Sequence, residues 1–401
     1  MNNRERFDAV MRHENGDQLL HFELGFNVPY KKWYKQGMPS HVQRVGWAEI
    51  TEKENLFDHF NVTGLVNCGV INQFCVPPFE EKTISDDGKK ITFINDMGNT
   101  LAGISDKVQQ DRDDGANIGS PPAEIAYAIK SPEDYERERY RYTGNIEKRY
   151  DPAWLKAHAA EHRDMTDFIP TLWVHGPFAY LRELIGTEMA MAAPYEDPDW
   201  VRMMLEDHLK TAMAAAEEPI RAIKHQVAFV WEDCCGSTGP FIAPAVFDEQ
   251  FAWWYRAWKD YTKSMGIPWT MMDTDGDPTP LISRWYENGI DCMHPWEVNG
   301  VDMLKVAEQY PNYIMMGGIY KHMFEPNDPG QFGRFNTTDV HEAIDQELER
   351  VVKPMRKRGG YFPSLDHWAF WGIGYDDYRY YCDRMLDYGK ANVSTRTFSV
   401  E

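Results

Sequence analysis

Cysteine is scarce and poorly placed for a scaffold: six in 401 residues, at 68, 75, 234, 235, 292 and 382, with no CxxC pair. That excludes a disulfide-dense fold and predicts reduced thiols. The adjacent Cys234 and Cys235 read as small buried hydrophobes, since sequence neighbours seldom suit a disulfide or two ligands of one tetrahedral metal. Long apolar runs are missing too. No window reaches the roughly 18 unbroken apolar residues of a membrane span, and Met1-Asn2-Asn3-Arg4-Glu5-Arg6 lacks the apolar segment of a signal peptide, so no membrane partner and a cytoplasmic location are expected. Positive charge is in deficit. With 42 basic against 63 acidic residues the net charge is -21, a field that repels phosphate backbones, so no nucleic acid partner is expected. Internal repeats and low-complexity tracts are absent. What remains is an ordinary globular composition, with 43% apolar residues to build a core.

Asn3 to Met11 reads as a capped helix, and Leu19 to Gly25 alternates like a first strand. Further strand-length apolar runs lie at Thr63 to Val70, Ile169 to His175, Gln226 to Glu232, Pro268 to Asp273, Ile290 to His294, Tyr313 to Gly317 and Gly360 to Pro363. Helical signals fall between most of them. Asp197-Pro198 is a cap with Pro at the first helical position, and Pro244 to Met265 is a helix closed by Gly266. Strands alternating with helices predict a single (β/α)8 TIM barrel over 1–401. The pattern breaks at about 75–150. There Lys82 to Phe93 forms a hairpin with an Asp-Gly turn, read as an insertion between the second and third strands. Phe324 to Thr338, rich in Pro, Gly and Asn, is a second irregular piece, suited to a lid or a homodimer contact.

In such a barrel the active site lies at the strands' C-terminal ends. The run Trp269-Thr270-Met271-Met272 ends there in Asp273, Asp275 and Asp277. Residues two apart on a strand share a face, placing Asp273 and Asp275 about 6 to 7 Å apart, where two bare carboxylates repel by roughly 2.5 kcal/mol. Such a pair wants a cation, a shared proton or a donor-rich substrate. Glu232, Asp233, Glu297, Asp366 and His367 end or follow other strands, although a strand-end acid also serves as a helix cap. Cys292 and His294 share a strand face. Without a third thiolate they read as core packing beside Pro295-Trp296 rather than a zinc site. His175, before Gly176-Pro177, suits a substrate-facing loop or a plain turn. Trp368 to Trp371, directly after His367, should border the pocket and stack on a flat apolar ring.

These segments together resemble the uroporphyrinogen decarboxylase superfamily, which includes methyltransferases of corrinoid-dependent systems. The landmarks are Arg4-Glu5-Arg6-Phe7, Trp231-Glu232-Asp233, Gly239-Pro240-Phe241-Ile242-Ala243-Pro244, Met272-Asp273-Thr274-Asp275-Gly276-Asp277, Pro295-Trp296-Glu297-Val298, Met316-Gly317-Gly318-Ile319 and Gly359-Gly360-Tyr361-Phe362-Pro363 running into Asp366-His367. The resemblance independently implies the barrel. Porphyrin decarboxylases grip carboxylates with an arginine-rich loop after the first strand; here that place reads Glu23-Leu24-Gly25-Phe26-Asn27, which argues against a polycarboxylate. Thiol methyltransferases of the superfamily hold zinc with His-x-Cys after the fifth strand and Cys after the eighth; here those places read Asp273-x-Asp275 and His367. A set of hard oxygen ligands and one imidazole implies zinc or another divalent metal held differently, or a metal-free acid device.

The resemblance thus implies a methyltransferase taking a methyl group from a small donor, a methoxylated aromatic compound favoured, to the corrinoid (cobalamin) of a separate partner protein. No Asp-x-His-x-x-Gly segment of the cobalt-ligating kind occurs in this chain. Asp273, Asp275 and His367 are the expected acid or metal centre. Glu23, His175, Glu232, Glu297, Asp366, Trp368 and Trp371 are the expected substrate-binding residues. The alternatives are a lyase that decarboxylates a smaller acid and a non-enzymatic binding module; the dense rim of ionisable groups weighs against the second.

Overall fold

A computed structural model of the chain describes residues 1–14, 18–105, 108, 122–328 and 334–390. Most of the strand-length apolar runs build one parallel sheet. Strand β1 (Leu65–Asn67) belongs to it, whereas β2 (Lys82–Asp86), β3 (Lys90–Ile94), β4 (Thr100–Ile104) and β5 (Ala123–Ala126) form a separate antiparallel sheet. The parallel sheet resumes with β6 (Ile169–His175) and β7 (Val227–Trp231). After a two-stranded ribbon, β8 (Cys235–Gly236) and β9 (Gly239–Pro240), it continues through β10 (Trp269–Asp273), β11 (Cys292–His294), β12 (Ile314–Met316) and β13 (Tyr361–Phe362). Its order is β1-β6-β7-β10-β11-β12-β13, with parallel neighbours throughout.

These seven strands form a curled half-barrel, compatible with a (β/α)8-like fold. The regular eighth strand expected at Leu19 to Gly25 is not formed. That segment lies between the two sheet edges through single bonds: Phe22 N–H donates to Pro363 O at 2.9 Å, Thr63 N–H to His21 O at 2.9 Å and Glu23 N–H to Thr63 O at 3.0 Å. Pro363 has no N–H to return a bond, so the ladder cannot extend there as a strand.

The concave interior is apolar at its base. Phe7, Phe22 and Phe362 are each 0% exposed and their rings lie 4.9 to 5.9 Å apart, and each burial stabilises by roughly 2 to 3 kcal/mol. Phe7 comes from the helix Asn3–Met11, which plugs the base. Asn2 caps it, accepting from Glu5 N–H while Glu5 accepts from Asn2 N–H, both at 2.9 Å. Helices cover the convex face. The longest, Pro198–Ile223, starts where Asp197 caps Trp200 N–H at 3.1 Å. The helix expected over Pro244 to Met265 runs from Pro244 to Ser264, with one wide turn at Phe247–Phe251.

The hairpin expected at Lys82 to Phe93 is present, Asp87 Oδ1 accepting from Lys89 and Lys90 N–H at 2.8 Å. Strands β4 and β5 extend it to four. They escape sequence reading because both faces of this sheet are largely solvated, so no period-two burial pattern arises. Parts of this insertion, and residues 329–333 of the second irregular piece, lie outside the described residues. Among the described residues no helix is long and apolar enough to cross a membrane.

Candidate active site

Strand register decides which residues meet. Paired positions in a parallel sheet share a pleat and point to one face. His175 pairs with Trp231, Trp231 with Asp273 and Asp273 with His294. One layer below, Trp173, Phe229, Met271, Cys292 and Ile314 follow the same register. That lower layer belongs to the apolar interior, so the His175, Trp231, Asp273 and His294 row is the next layer up, at the C-terminal mouth where (β/α)8-like folds keep their chemistry.

His294 Nδ1 lies 3.1 Å from Asp273 Oδ2, and both residues are buried. Burial holds the His294 imidazole down at about 3. Burial first, and then the charge of Asp275, pushes the Asp273 carboxyl well above its usual range. Both partners are driven to neutral forms, so the contact is a hydrogen bond holding a proton rather than an ion pair. His294 Nε2 is buried with no partner among the described residues.

Beyond the end of β10 the chain turns sharply at Gly276, whose φ is +76°. A Cβ there would stand 2.5 Å from Gly236 O and 2.8 Å from Cys235 O, so only glycine lets the two loops approach. Gly276 N–H donates to Glu297 Oε2 at 2.9 Å, which fixes Glu297 beside Asp275. His367 Nε2 lies 3.6 Å from Asp275 Oδ2, and ligand atoms of Asp275, Glu297 and His367 all fall within 4.8 Å of one another. Burial raises the Asp275 carboxyl, but the close approach of His367 and the charges of His367 and Lys321 outweigh it and hold it below its usual value. Burial likewise lowers His367, and the Asp275 carboxylate beside it, with the charge of Glu297, more than reverses this. Each partner therefore favours the charged form of the other. The mouth thus holds a neutral proton-sharing pair behind one whose partners favour their charged forms.

The expected centre of Asp273, Asp275 and His367 is rearranged. Glu297 completes the cluster with Asp275 and His367, while Asp273 turns to His294. Glu232 is the residue after β7 and faces the other way, into the layer between sheet and helices. Its Oε1 accepts from Phe178 and Ala179 N–H at 2.9 and 3.2 Å, at the start of the helix Pro177–Ile185, and its Oε2 accepts from Tyr255. Glu23 also faces outward, beneath the helix Tyr375–Leu386, with His21 Nε2 at 3.1 Å and the hydroxyls of Tyr378 and Tyr381 beside it. Burial pushes both carboxyls up to about 8. Asp366 is buried and ties two loops, accepting from Val298 N–H at 3.0 Å and Lys321 N–H at 2.9 Å.

The aromatic residues form a wall. Trp368 meets Trp47 edge-on at 4.1 Å between centroids, Trp47 meets Trp173 at 5.0 Å, and Trp173 meets Phe229 at 4.7 Å. His175 sits between Phe74 and Trp231, each at 4.8 Å. Trp47 and Trp231 keep 41% and 38% of their surface exposed, a cost tolerated where a ligand covers it. Trp371, 52% exposed, touches Phe370 and makes no ring contact with the wall. His294, Trp47, Trp173 and Trp231 were not among the expected site residues. Counting back by two from His175 and Asp233, and pairing His294 with Asp273, would have found three of them; Trp47 arrives from a distant loop that carries no such signal.

No family model matches the chain, and no curated protein matches it. Among solved structures it is similar to a methyltransferase from Methanosarcina mazei, with a TM-score of 0.53 and 11% identity, over 97% of this chain and 99% of that one. At that identity the likeness is one of fold, and it spans both chains almost end to end.

Proposed function

We propose that this chain is an enzyme of the uroporphyrinogen decarboxylase superfamily that moves a methyl group from a small donor, a methoxylated aromatic compound first, to the corrinoid of a separate protein. The observation that carries the reading is the juxtaposition at one mouth of an indole wall, Trp47, Trp173 and Trp368, with the Asp275 and His367 pair. A fold shared with a methyltransferase supports it, as do the motifs of the sequence.

Removing the methyl group from an aryl ether leaves a phenolate, which must be protonated or neutralised. The wall supplies flat apolar faces against which the ring stacks. His367, whose protonated form Asp275 favours, delivers its proton to the departing oxygen and recovers one from solvent. Asp275 orients the imidazole and stabilises its charge, and Glu297, held by Gly276 N–H, adds a second negative charge beside it. The neutral Asp273 and His294 pair lets the interior behind remain dry. The corrinoid supplies a nucleophilic cobalt(I) centre that accepts the methyl group.

The same three residues fit a divalent cation. Two carboxylates and one imidazole with ligand atoms within 4.8 Å of one another are a donor set suited to zinc or a harder ion. A bound ion would be held by Asp275, Glu297 and His367 and would supply Lewis acidity toward the same oxygen. A carboxy-lyase is the second reading, favoured by the proton that burial keeps on Asp273, which could quench a carbanion.

The test is methyl transfer from a panel of methoxybenzoates to free cob(I)alamin, followed by absorbance. The parent enzyme should methylate the corrinoid, and Asp275→Asn and His367→Ala should each be slower by at least about 100-fold. Variants as fast as the parent overturn the assignment; carbon dioxide release without corrinoid establishes the lyase.

A further inference from the structure

A second cavity lies beside the proposed site. Between loop 47–52, β1 and the helix Pro152–Asp164 is a groove of about 650 Å³, within the range of small-molecule sites. Its inner side is Trp47 and Trp173 and its outer side Trp154, whose ring packs on His158 and His162 at 5.1 and 4.9 Å. Glu49, Glu52 and Glu161 also line it, and no Lys or Arg does. Among the described residues none of these three carboxylates forms an ion pair.

An independent feature points to a ligand. His162 is only 7% exposed, and its Nδ1 is engaged by Cys68 Sγ at 3.0 Å. Its Nε2 has no partner among the described residues, and the ring lines the groove, so this nearly buried polar atom opens onto the cavity. Uncompensated carboxylates repel anions and attract a cation with N–H donors. Indole faces take an apolar body and add attraction for the charge.

We propose that this groove binds an organic cation, a protonated primary amine on an aromatic or apolar body. The ammonium group sits among Glu49, Glu52 and Glu161, and the body lies between Trp154 and the Trp47 and Trp173 wall. This site shares Trp47 and Trp173 with the aromatic wall of the mouth but none of the Asp275, Glu297 and His367 cluster, and it does not depend on the methyl-transfer reading.

Calorimetric titration of the full chain tests it with three probes of similar size: phenethylamine, neutral 2-phenylethanol and anionic 3-phenylpropanoate. Phenethylamine should bind saturably and at least tenfold tighter than the alcohol, and the carboxylate more weakly than both. Glu161→Gln, at an exposed position that leaves folding intact, and Trp154→Leu should each weaken the amine at least fivefold, whereas Asp275→Asn should not change it. The proposal is overturned if the amine does not bind or the alcohol binds equally well. It is also overturned if Glu161→Gln binds the amine like the parent, or if Asp275→Asn abolishes binding and so moves the amine into the interior site.

Discussion

Glu232 offers the sharpest separation of scaffold from chemistry. It is wholly buried at the end of β7 and is the shared acceptor for Phe178 N–H, Ala179 N–H and the Tyr255 hydroxyl. Replacing it by alanine strands two backbone donors at the start of a buried helix, together with a phenol. At roughly 1 to 3 kcal/mol for each unsatisfied group, partly relieved by water entering the gap, the expected loss is about 4 kcal/mol. For a chain of this length that corresponds to a fall in Tm of about 5 °C. Glu232→Gln keeps an acceptor for the two amides and should cost less than about 1 kcal/mol. Because the carboxyl faces away from the interior, the KM for the donor should be unchanged in the glutamine variant. Gly176 adds a cross-check, since a Cβ there would stand 1.6 Å from Glu232 Oε2. Gly176→Ala should therefore be strongly destabilising in the parent and much milder in the Glu232→Ala background, with a coupling above about 1 kcal/mol. Differential scanning calorimetry and steady-state kinetics read all four variants. The reasoning fails if Glu232→Ala melts within 1 °C of the parent, or if Glu232→Gln keeps its Tm and loses activity.

Gly276→Ala should cost about 2 to 4 kcal/mol, because a side chain at φ +76° is strained and would meet Gly236 O; chemical denaturation measures it, and a change below about 1 kcal/mol contradicts the loop packing. Burial raises Glu23 and Glu232 from 4.5 to about 8 in the folded chain. A folded pKa above the unfolded one contributes stability that is complete below about pH 4.5 and lost as pH rises through 8. Tm should decline between pH 5 and 8, and Glu23→Gln and Glu232→Gln should each flatten that slope; an unchanged slope in both refutes it. Trp47→Leu should raise the KM for a methoxyarene at least about fivefold with little change in kcat, since it removes stacking present before and during the reaction; a fall in kcat alone would place Trp47 elsewhere.

Much of the scaffold is legible in the sequence because parallel strands are buried on both faces and read as unbroken apolar runs. Ile169 to His175 is found at its observed limits, and Pro268 to Asp273 to within one residue. Leu19 to Gly25 alternates convincingly and still pairs only by single bridges, since its partner ends in Pro363. Facing is harder. A run of apolar residues marks where a strand stops, yet Asp273 and Glu232, both at such stops, point to opposite sides of the sheet. Only the register between neighbouring strands separates them, and it also reveals that His294 belongs with Asp273 rather than with the core packing around Cys292. Glu297 reaches Asp275 through a loop fixed by Gly276, a contact that no local periodicity encodes.

The central claim is that the indole-walled mouth removes a methyl group from an aromatic ether with a proton from the Asp275 and His367 pair. It is tested most directly by a single turnover with a methoxybenzoate carrying a 13C methyl group and with cob(I)alamin, followed by NMR. The account predicts that the label moves to cobalt as one equivalent of phenol appears, and that neither happens with His367→Ala. A methyl signal that stays on the ether in the parent enzyme, or transfer undiminished in His367→Ala, contradicts it.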